Sequence, residues 1–155
     1  MNIRAATERD IPALQRILRS SWLTIWAPEL ALSTVQRFAT LDPAGLYALD
    51  KWQEFNIVED DGNLLGMFHI EGDHLNSIHL DPRHKRRRIG SLLMDEIERR
   101  IGSDYSEALL EVRAFNTGAI AFYKQRGWGV RRSFQSTECG EPVETLEMFK
   151  ALSAP

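Results

Sequence analysis

The residues with the clearest chemical potential lie in one run, Leu80-Asp81-Pro82-Arg83-His84-Lys85-Arg86-Arg87-Arg88-Ile89-Gly90-Ser91-Leu92-Leu93, where an apolar strand end passes through a basic turn into an amphipathic pattern. The first amides of a helix lack intrahelical acceptors and carry the positive end of its dipole, so a basic turn at that point adds mobile charge to a fixed anion site. Such a site suits a diphosphate-bearing ligand. In isolation the run would read as a solvated basic turn, and its place between a strand and an amphipathic helix is what favours phosphate. No aromatic side chain lies between Arg83 and Arg88 to stack a base, which argues against a nucleic-acid surface.

The histidines form a second pattern, recurring at His69, His74, His79 and His84. This spacing raises the question of a metal site. Strand alternation turns His79 to the face opposite His74, and His84 falls in the basic turn, so no three converge and no metal is expected. A two-residue turn at Gly72-Asp73 would set Glu71 opposite His74, close enough to raise the imidazole pKa.

These side chains need a scaffold. Ile3 to Ala5 reads as a first strand, and Thr7 with Asp10 forms a capping box before a helix with Ile11, Leu14, Ile17 and Leu18 on one face. Trp22 and Trp26, which we read as core residues, lead to a second helix over Ser33 to Thr40, and Asp42-Pro43 opens a third. Glu54 to Asp60, Leu64 to Glu71 and His74 to Leu80 read as three antiparallel strands joined by turns at Asp61-Gly62 and Gly72-Asp73. Ile89, Leu92, Leu93, Ile97 and Ile101 recur at helical spacing. Ala108 to Val112 is an apolar strand, Asn116 caps a helix that Gly127 closes, and Trp128 to Gln135 and Val143 to Lys150 supply two final strands. The sum is about seven strands and four or so helices in one α+β layered structure.

Composition sets the outer bounds. A chain of 155 residues, 43% hydrophobic and 26% charged, can bury one core and reads as a single domain over 1–155. Its 19 basic and 22 acidic side chains leave a net charge of −3, which disfavours bulk nucleic-acid binding. The lone Cys139 cannot form an internal disulfide, and no stretch has the length of apolar residues a membrane helix needs. A cytoplasmic protein with no membrane partner is expected.

From Leu75 to Trp128 the chain resembles the GNAT superfamily of acetyl-CoA-dependent N-acetyltransferases. Leu75, Ile78, Leu80 and Pro82 match the family's Ile-x-x-Leu-x-Val-x-Pro strand, and Lys85, Arg88 and Gly90 match its (Arg/Gln)-x-x-Gly-x-(Gly/Ala) loop. Asn116, Ala119, Phe122, Tyr123, Gly127 and Trp128 match a second motif, Asn-x-x-Ala-x-x-(Phe/Leu)-Tyr-x-x-x-Gly-(Phe). Lys85 replaces the usual arginine or glutamine. Arg88 replaces the first signature glycine; in ordinary helical angles its amide would still face the diphosphate and its guanidinium would add a bidentate contact.

The resemblance implies a three-layer fold, with a central mixed, mostly antiparallel sheet flanked by helices and two splayed strands forming an acetyl-CoA cleft. It implies direct transfer, in a ternary complex, to an amine-bearing small molecule or a peptide N-terminus, and it admits a homodimer. Lys85, Arg86, Arg87, Arg88, Ile89, Gly90 and Ser91 would then hold the diphosphate, their amides from Arg86 onward foremost, with Ile78, His79 and Leu80 along the pantetheine and Asn116 reaching the cofactor. A backbone N–H of that strand, Leu80 foremost, would stabilise the developing oxyanion. Tyr123 would protonate the departing thiolate, its phenol near pKa ~10 keeping its proton at neutral pH. Glu111 stands first and His74 second as candidate base, and acceptor specificity falls to Trp22, Trp26, Tyr47 and the segment 133–142. Cys139 lies outside the motifs, so no acetyl-cysteine step is implied. A non-catalytic acyl-CoA-binding sensor module is the alternative function.

Overall fold

The computed structural model describes residues 1–153 and, for residues 85–87, the backbone alone. Seven strands form one sheet: β1 (Asn2–Ala5), β2 (Phe55–Asp60), β3 (Asn63–Glu71), β4 (His74–Leu80), β5 (Glu107–Arg113), β6 (Gly129–Glu138) and β7 (Glu141–Ala151), in the order β1-β2-β3-β4-β5-β7-β6. All neighbours are antiparallel except β4 and β5. Five α-helices are described: α1 (Ile11–Ile25), α2 (Leu32–Leu41), α3 (Pro43–Lys51), α4 (Ile89–Asp104) and α5 (Thr117–Gln125).

Local chemistry accounts for the turns. Asp61 and Gly62 both take positive φ, 49° and 77°, as a twisted two-residue hairpin requires, and Cys139 and Gly140 repeat the arrangement at 47° and 86° between β6 and β7. The capping box is present: the Thr7 amide donates to Asp10 Oδ2 at 2.7 Å, opening a 3-10 turn that runs into α1. Asp42, in the left-handed region, ends α2 and caps α3 by accepting from the Gly45 amide at 3.2 Å.

Alternation along the strands divides the apolar side chains between two cores. Ile57 and Met67 join Leu14, Ile17 and Leu18 of α1 and Ala48 of α3 on one face. Val58, Phe68 and Leu110 join Leu93, Ile97 and Ile101 of α4 and Tyr123 of α5 on the other. The sheet is thus the middle of three layers.

Two irregularities in β4 prepare a site. Its register with β3 shifts from His69↔Ser77 to Ile70↔Leu75, leaving Asn76 as an extra, bulged residue. Its parallel pairing with β5 covers only His74↔Leu109 and Leu75↔Leu110, after which the strands part. From Asn76 onward, the edge of β4 facing β5 is open.

Candidate active site

Three adjoining cavities surround this opening. On the α4–α5 face a groove of about 430 Å³ runs past Ile78, Leu80, Arg88, Gly90, Ser91, Asn116, Phe122 and Tyr123. Between the parting strands lies a cleft of about 240 Å³ bordered by Ile78, Glu111, Arg113 and Tyr123. On the α1–α3 face a pocket of about 320 Å³ is walled by Trp22, Trp26, Phe38 and Tyr47. His79 borders all three, and Asn76 and Ser77 border both the cleft and the pocket. Spaces on the two faces of the sheet therefore meet at one point of β4.

The groove fits a long ligand with an anionic end. The N-terminus of α4 opens onto it at Arg88, Gly90 and Ser91, bringing first-turn amides and the positive end of the dipole. A Cβ on Gly90 would lie 3.5 Å from Phe122 and 3.6 Å from Leu80, both groove residues, so the missing side chain widens the channel. Ile89 is fully buried in the core and can face the groove only through its amide. The side chains of Lys85, Arg86 and Arg87 lie outside the described residues; their backbone forms part of a 3-10 segment, Pro82–Arg87.

Arg88 does not take the ordinary helical angles on which its amide and side-chain contacts were conditional. It caps α4 in the left-handed region at φ 56° and ψ 26°, a conformation glycine adopts without strain and other L-residues adopt at a cost of ~1–2 kcal/mol. Arg83 is committed elsewhere. Its guanidinium reaches Asp81 Oδ2 at 2.8 Å, and its amide donates to Asp81 Oδ1 at 3.0 Å. Asp81 also receives Arg16 at 3.1 Å, and the Arg83 guanidinium, assisted by that of Arg16, holds its carboxyl well below the usual carboxylate range. This buried carboxylate fixes the exit of β4 into the cradle.

Tyr123, 8% exposed, borders both groove and cleft, packed beside Phe122 and Trp128. Burial pushes its phenol up to about 12, and among the described residues no hydrogen bond engages its hydroxyl. Asn116 borders the same two cavities and caps α5, its side chain accepting from the Ala119 amide at 3.4 Å. His79 accepts or donates at 2.9 Å to Ser21 Oγ of α1, and burial pushes its imidazole down to about 4, so the ring is neutral near pH 7.

The two candidate bases separate. Glu111 borders the cleft with an exposed side chain that no described residue pairs. His74 sits at the start of β4, bordering none of the three cavities, with Nδ1 2.7 Å from Asp73 Oδ1. Glu71 does stand opposite His74 in register, but its carboxylate turns instead to His69 Nε2 at 3.3 Å. The expected Glu71–His74 pair is therefore replaced by Glu71–His69, because Glu71 Oε1 lies with the buried His69 ring on the α3 side.

Two further groups escaped the sequence reading. Arg113 donates to Glu138 Oε2 at 2.7 Å and to Thr145 Oγ1 at 2.7 Å, while Trp22 Nε1 donates to Glu138 Oε1 at 2.9 Å. Trp22 is both a core residue, stacked on Phe38 at 3.7 Å, and a pocket wall. On the other side Tyr47, His69, Asn76 and Ser77 join in one hydrogen-bonded cluster with Glu54 and Glu71. The Pro43 start was the one local sign that α3 would carry Tyr47 over the sheet.

Comparison with known proteins decides what this arrangement belongs to. The acetyltransferase (GNAT) family model matches residues 11–128, which span α1 through the close of α5. This chain belongs to the GNAT acetyltransferase family. The family is one of acetyl-CoA-dependent N-acetyltransferases. The chain is 30% identical over 131 residues to the peptidyl-lysine N-acetyltransferase YiaC of Escherichia coli, covering 83% of each. A GCN5-related N-acetyltransferase from Rhodopseudomonas palustris superposes with a TM-score of 0.84 at 17% identity, over 97% of this chain and 95% of the other. The PaiA N-acetyltransferase of Thermoplasma acidophilum, solved with coenzyme A, superposes with a TM-score of 0.77 at 20% identity over 97% and 98%. No helix among the described residues is long and apolar enough to cross a membrane.

Proposed function

We propose that this GNAT protein moves the acetyl group of acetyl-CoA directly to an aliphatic primary amine, with the side chain of a peptide lysine as the leading acceptor. The observation that carries this reading is the meeting of the groove and the opposite-face pocket at the open edge of β4. Two ligands entering from opposite faces can come together only there.

Acetyl-CoA, when bound, supplies the acetyl group as a thioester. The amides from Arg88 to Ser91 take up the diphosphate, and the edge of Ile78 to Leu80 left open toward β5 pairs with the pantetheine as an added strand would. An N–H on that edge orients the acetyl carbonyl and stabilises the charge that attack places on it. The aromatic pocket, with Trp22, Trp26 and Tyr47 around it, suits an alkylammonium chain, and the unpaired Glu111 carboxylate attracts its charge from the cleft. Tyr123 acts as a hydrogen-bond donor to the leaving sulfur. Complete proton transfer from a phenol at about 12 to a thiolate near ~8.5 would be uphill by ~5 kcal/mol. Cys139 borders none of the three cavities and burial pushes its thiol up, which supports direct transfer without an acyl-cysteine. Similarity to a peptidyl-lysine acetyltransferase supports the choice of acceptor.

A thiol-release screen over Nα-blocked lysine peptides, free peptide N-termini, polyamines, aminoglycosides and amino acids tests the proposal, with acetyl-CoA binding followed by calorimetry. Turnover led by the lysine peptides is expected. Binding of acetyl-CoA without accelerated thiol release on any amine would overturn the catalytic reading in favour of a sensor. Turnover confined to another amine class would overturn the acceptor alone.

A further inference from the structure

An ammonium ion has no lone pair for attack, so an amine acetyltransferase must take a proton from its acceptor. Neither sequence candidate is well placed to hold it. His74 lies outside the cavities, and Glu111 borders the cleft but not the aromatic acceptor pocket. The buried cluster beneath the acceptor pocket has the missing connectivity. Resting on the acetyltransferase reading above, we propose that Ser77, Tyr47 and His69 form a side-chain proton outlet from the acceptor pocket, with Glu54 and Glu71 at its solvent end.

Each link is within hydrogen-bond range. Ser77 Oγ lies 2.7 Å from Tyr47 Oη, and Tyr47 Oη lies 2.6 Å from His69 Nδ1. His69 Nε2 then lies 3.2 Å from Glu54 Oε1 and 3.3 Å from Glu71 Oε1. The line begins at the pocket wall, since Ser77 and Tyr47 both border it. It crosses a histidine that is 0% exposed and ends at carboxylates that are 46% and 49% exposed. The bulge at Asn76 makes the line possible by bringing Asn76 and Ser77 together against His69 and Tyr47.

The direction of the line is set by Asn76. Its Nδ2 group, a donor only, lies 3.1 Å from His69 Nδ1, so Nδ1 accepts and the ring proton sits on Nε2, aimed at the carboxylates. Tyr47 is held protonated by burial and serves as a conduit rather than a store. The charged groups around the ring are Glu54, Glu71 and Lys51, which pairs with Glu54 at 3.4 Å; α3 and β4 contribute the neutral Tyr47, Asn76 and Ser77. Glu54, His69 and Glu71 also present three potential metal-ligand atoms within 4.8 Å of one another. A cation bound there would displace the Nε2 proton, so metal occupancy and the outlet exclude each other.

The proton balance closes. The ammonium N–H bond breaks as its proton joins Ser77 Oγ, the Ser77 proton moves to Tyr47, and the Tyr47 proton moves to Nδ1. The Nε2 proton passes to Glu54 or Glu71 and then to water, while the amine keeps the electron pair for attack. After product leaves, the same groups shift back against water in the emptied pocket. Tyr47 and Ser77 are the members that face the acceptor; His69 acts through them.

Two measurements test this in the intact protein. The imidazole ¹⁵N shifts of His69, assigned by their loss in His69→Gln, should report a ring proton on Nε2 and a lone pair on Nδ1 in the unliganded protein; a proton on Nδ1 overturns the outlet without reference to turnover. The pH profile of kcat/KM, taken with the amine turned over fastest in the screen, should change in Tyr47→Phe and Ser77→Ala. Tyr47→Phe should lose about 100-fold near pH 7 and recover as pH approaches the amine's own pKa, with acetyl-CoA affinity retained. A wild-type profile in Tyr47→Phe overturns the outlet alone. Failure of the wild type to acetylate any amine overturns the acetyltransferase reading and the outlet with it.

Discussion

Arg113 Nη2 and Glu138 Oε2 lie 2.7 Å apart, an ion pair that reaches from β5 across β7 to β6 and is fixed from the helical side by Trp22. Arg113 borders the cleft and Glu138 the pocket, so one pair sets the distance between the two. Both side chains are largely buried, and removing one charge leaves the other poorly solvated. Glu138→Gln should cost ~2 kcal/mol of stability and raise KM for the amine while leaving acetyl-CoA affinity unchanged. Thermal melts and steady-state kinetics with each substrate varied in turn check this.

Arg88 holds a left-handed conformation at the mouth of the groove. Arg88→Gly should relieve backbone strain and stabilise the fold by up to ~1 kcal/mol in calorimetric melts. The same variant should bind acetyl-CoA about tenfold more weakly, with a shallower salt dependence, as expected for one lost charge-assisted contact. Unchanged affinity at two salt concentrations would leave the backbone amides as the sole grip.

Tyr123 has packing and a hydroxyl to lose separately. Tyr123→Phe keeps the ring beside Phe122 and Trp128 and removes only the hydroxyl proposed as the donor to the leaving sulfur. The expected result is a fall in kcat of about 10- to 100-fold with acetyl-CoA Kd within twofold of wild type, read by thiol release and calorimetry. Full activity would assign Tyr123 to the core alone.

His79 predicts an acid limb of stability. Its folded pKa near 4 lies below the unfolded value near ~6.5, so below ~6.5 the unfolded chain takes up a proton that the fold refuses. Stability is complete above this window and should fall by ~3 kcal/mol as pH drops from ~6.5 to ~4. His79→Asn should flatten the urea midpoint across that range. The loss from Asp81, whose folded pKa is depressed, should persist in the variant at still lower pH.

Much of this architecture is written in local pattern. Short apolar runs such as Ile57-Val58 and Leu64 to Phe68, the positive-φ turn at Asp61-Gly62 and the proline start of α3 report on their own neighbours, and each element stands close to where its sequence places it. The strand–turn–helix frame of the proposed anion cradle is legible for the same reason, being a single contiguous run from β4 to α4. What a linear reading could not reach was convergence. The bulge at Asn76 adds one residue to β4, and only pairing with β3 makes it a bulge. Tyr47, His69 and Ser77 come from α3, β3 and β4, and nothing in any one segment announces the others. Glu71 was assigned to His74 from hairpin register, which is correct for the backbone; its carboxylate follows His69, whose position depends on the α3 layer. Arg88 was read from residue type, whereas its conformation belongs to the whole strand–helix junction.

Two residue pairs join β4 to β5. The sheet is one by strand count and two by attachment, a four-stranded ribbon and a three-stranded ribbon sharing a short joint. An acyl donor paired along Ile78 to Leu80 would act as an interstitial strand, continuing the attachment of the two ribbons past the two pairs of the joint. Donor occupancy then becomes a mechanical quantity. The melting temperature would rise with donor concentration by mass action, and its order across a series of acyl-CoA thioesters would report which chain lengths the joint accommodates before any acceptor is known.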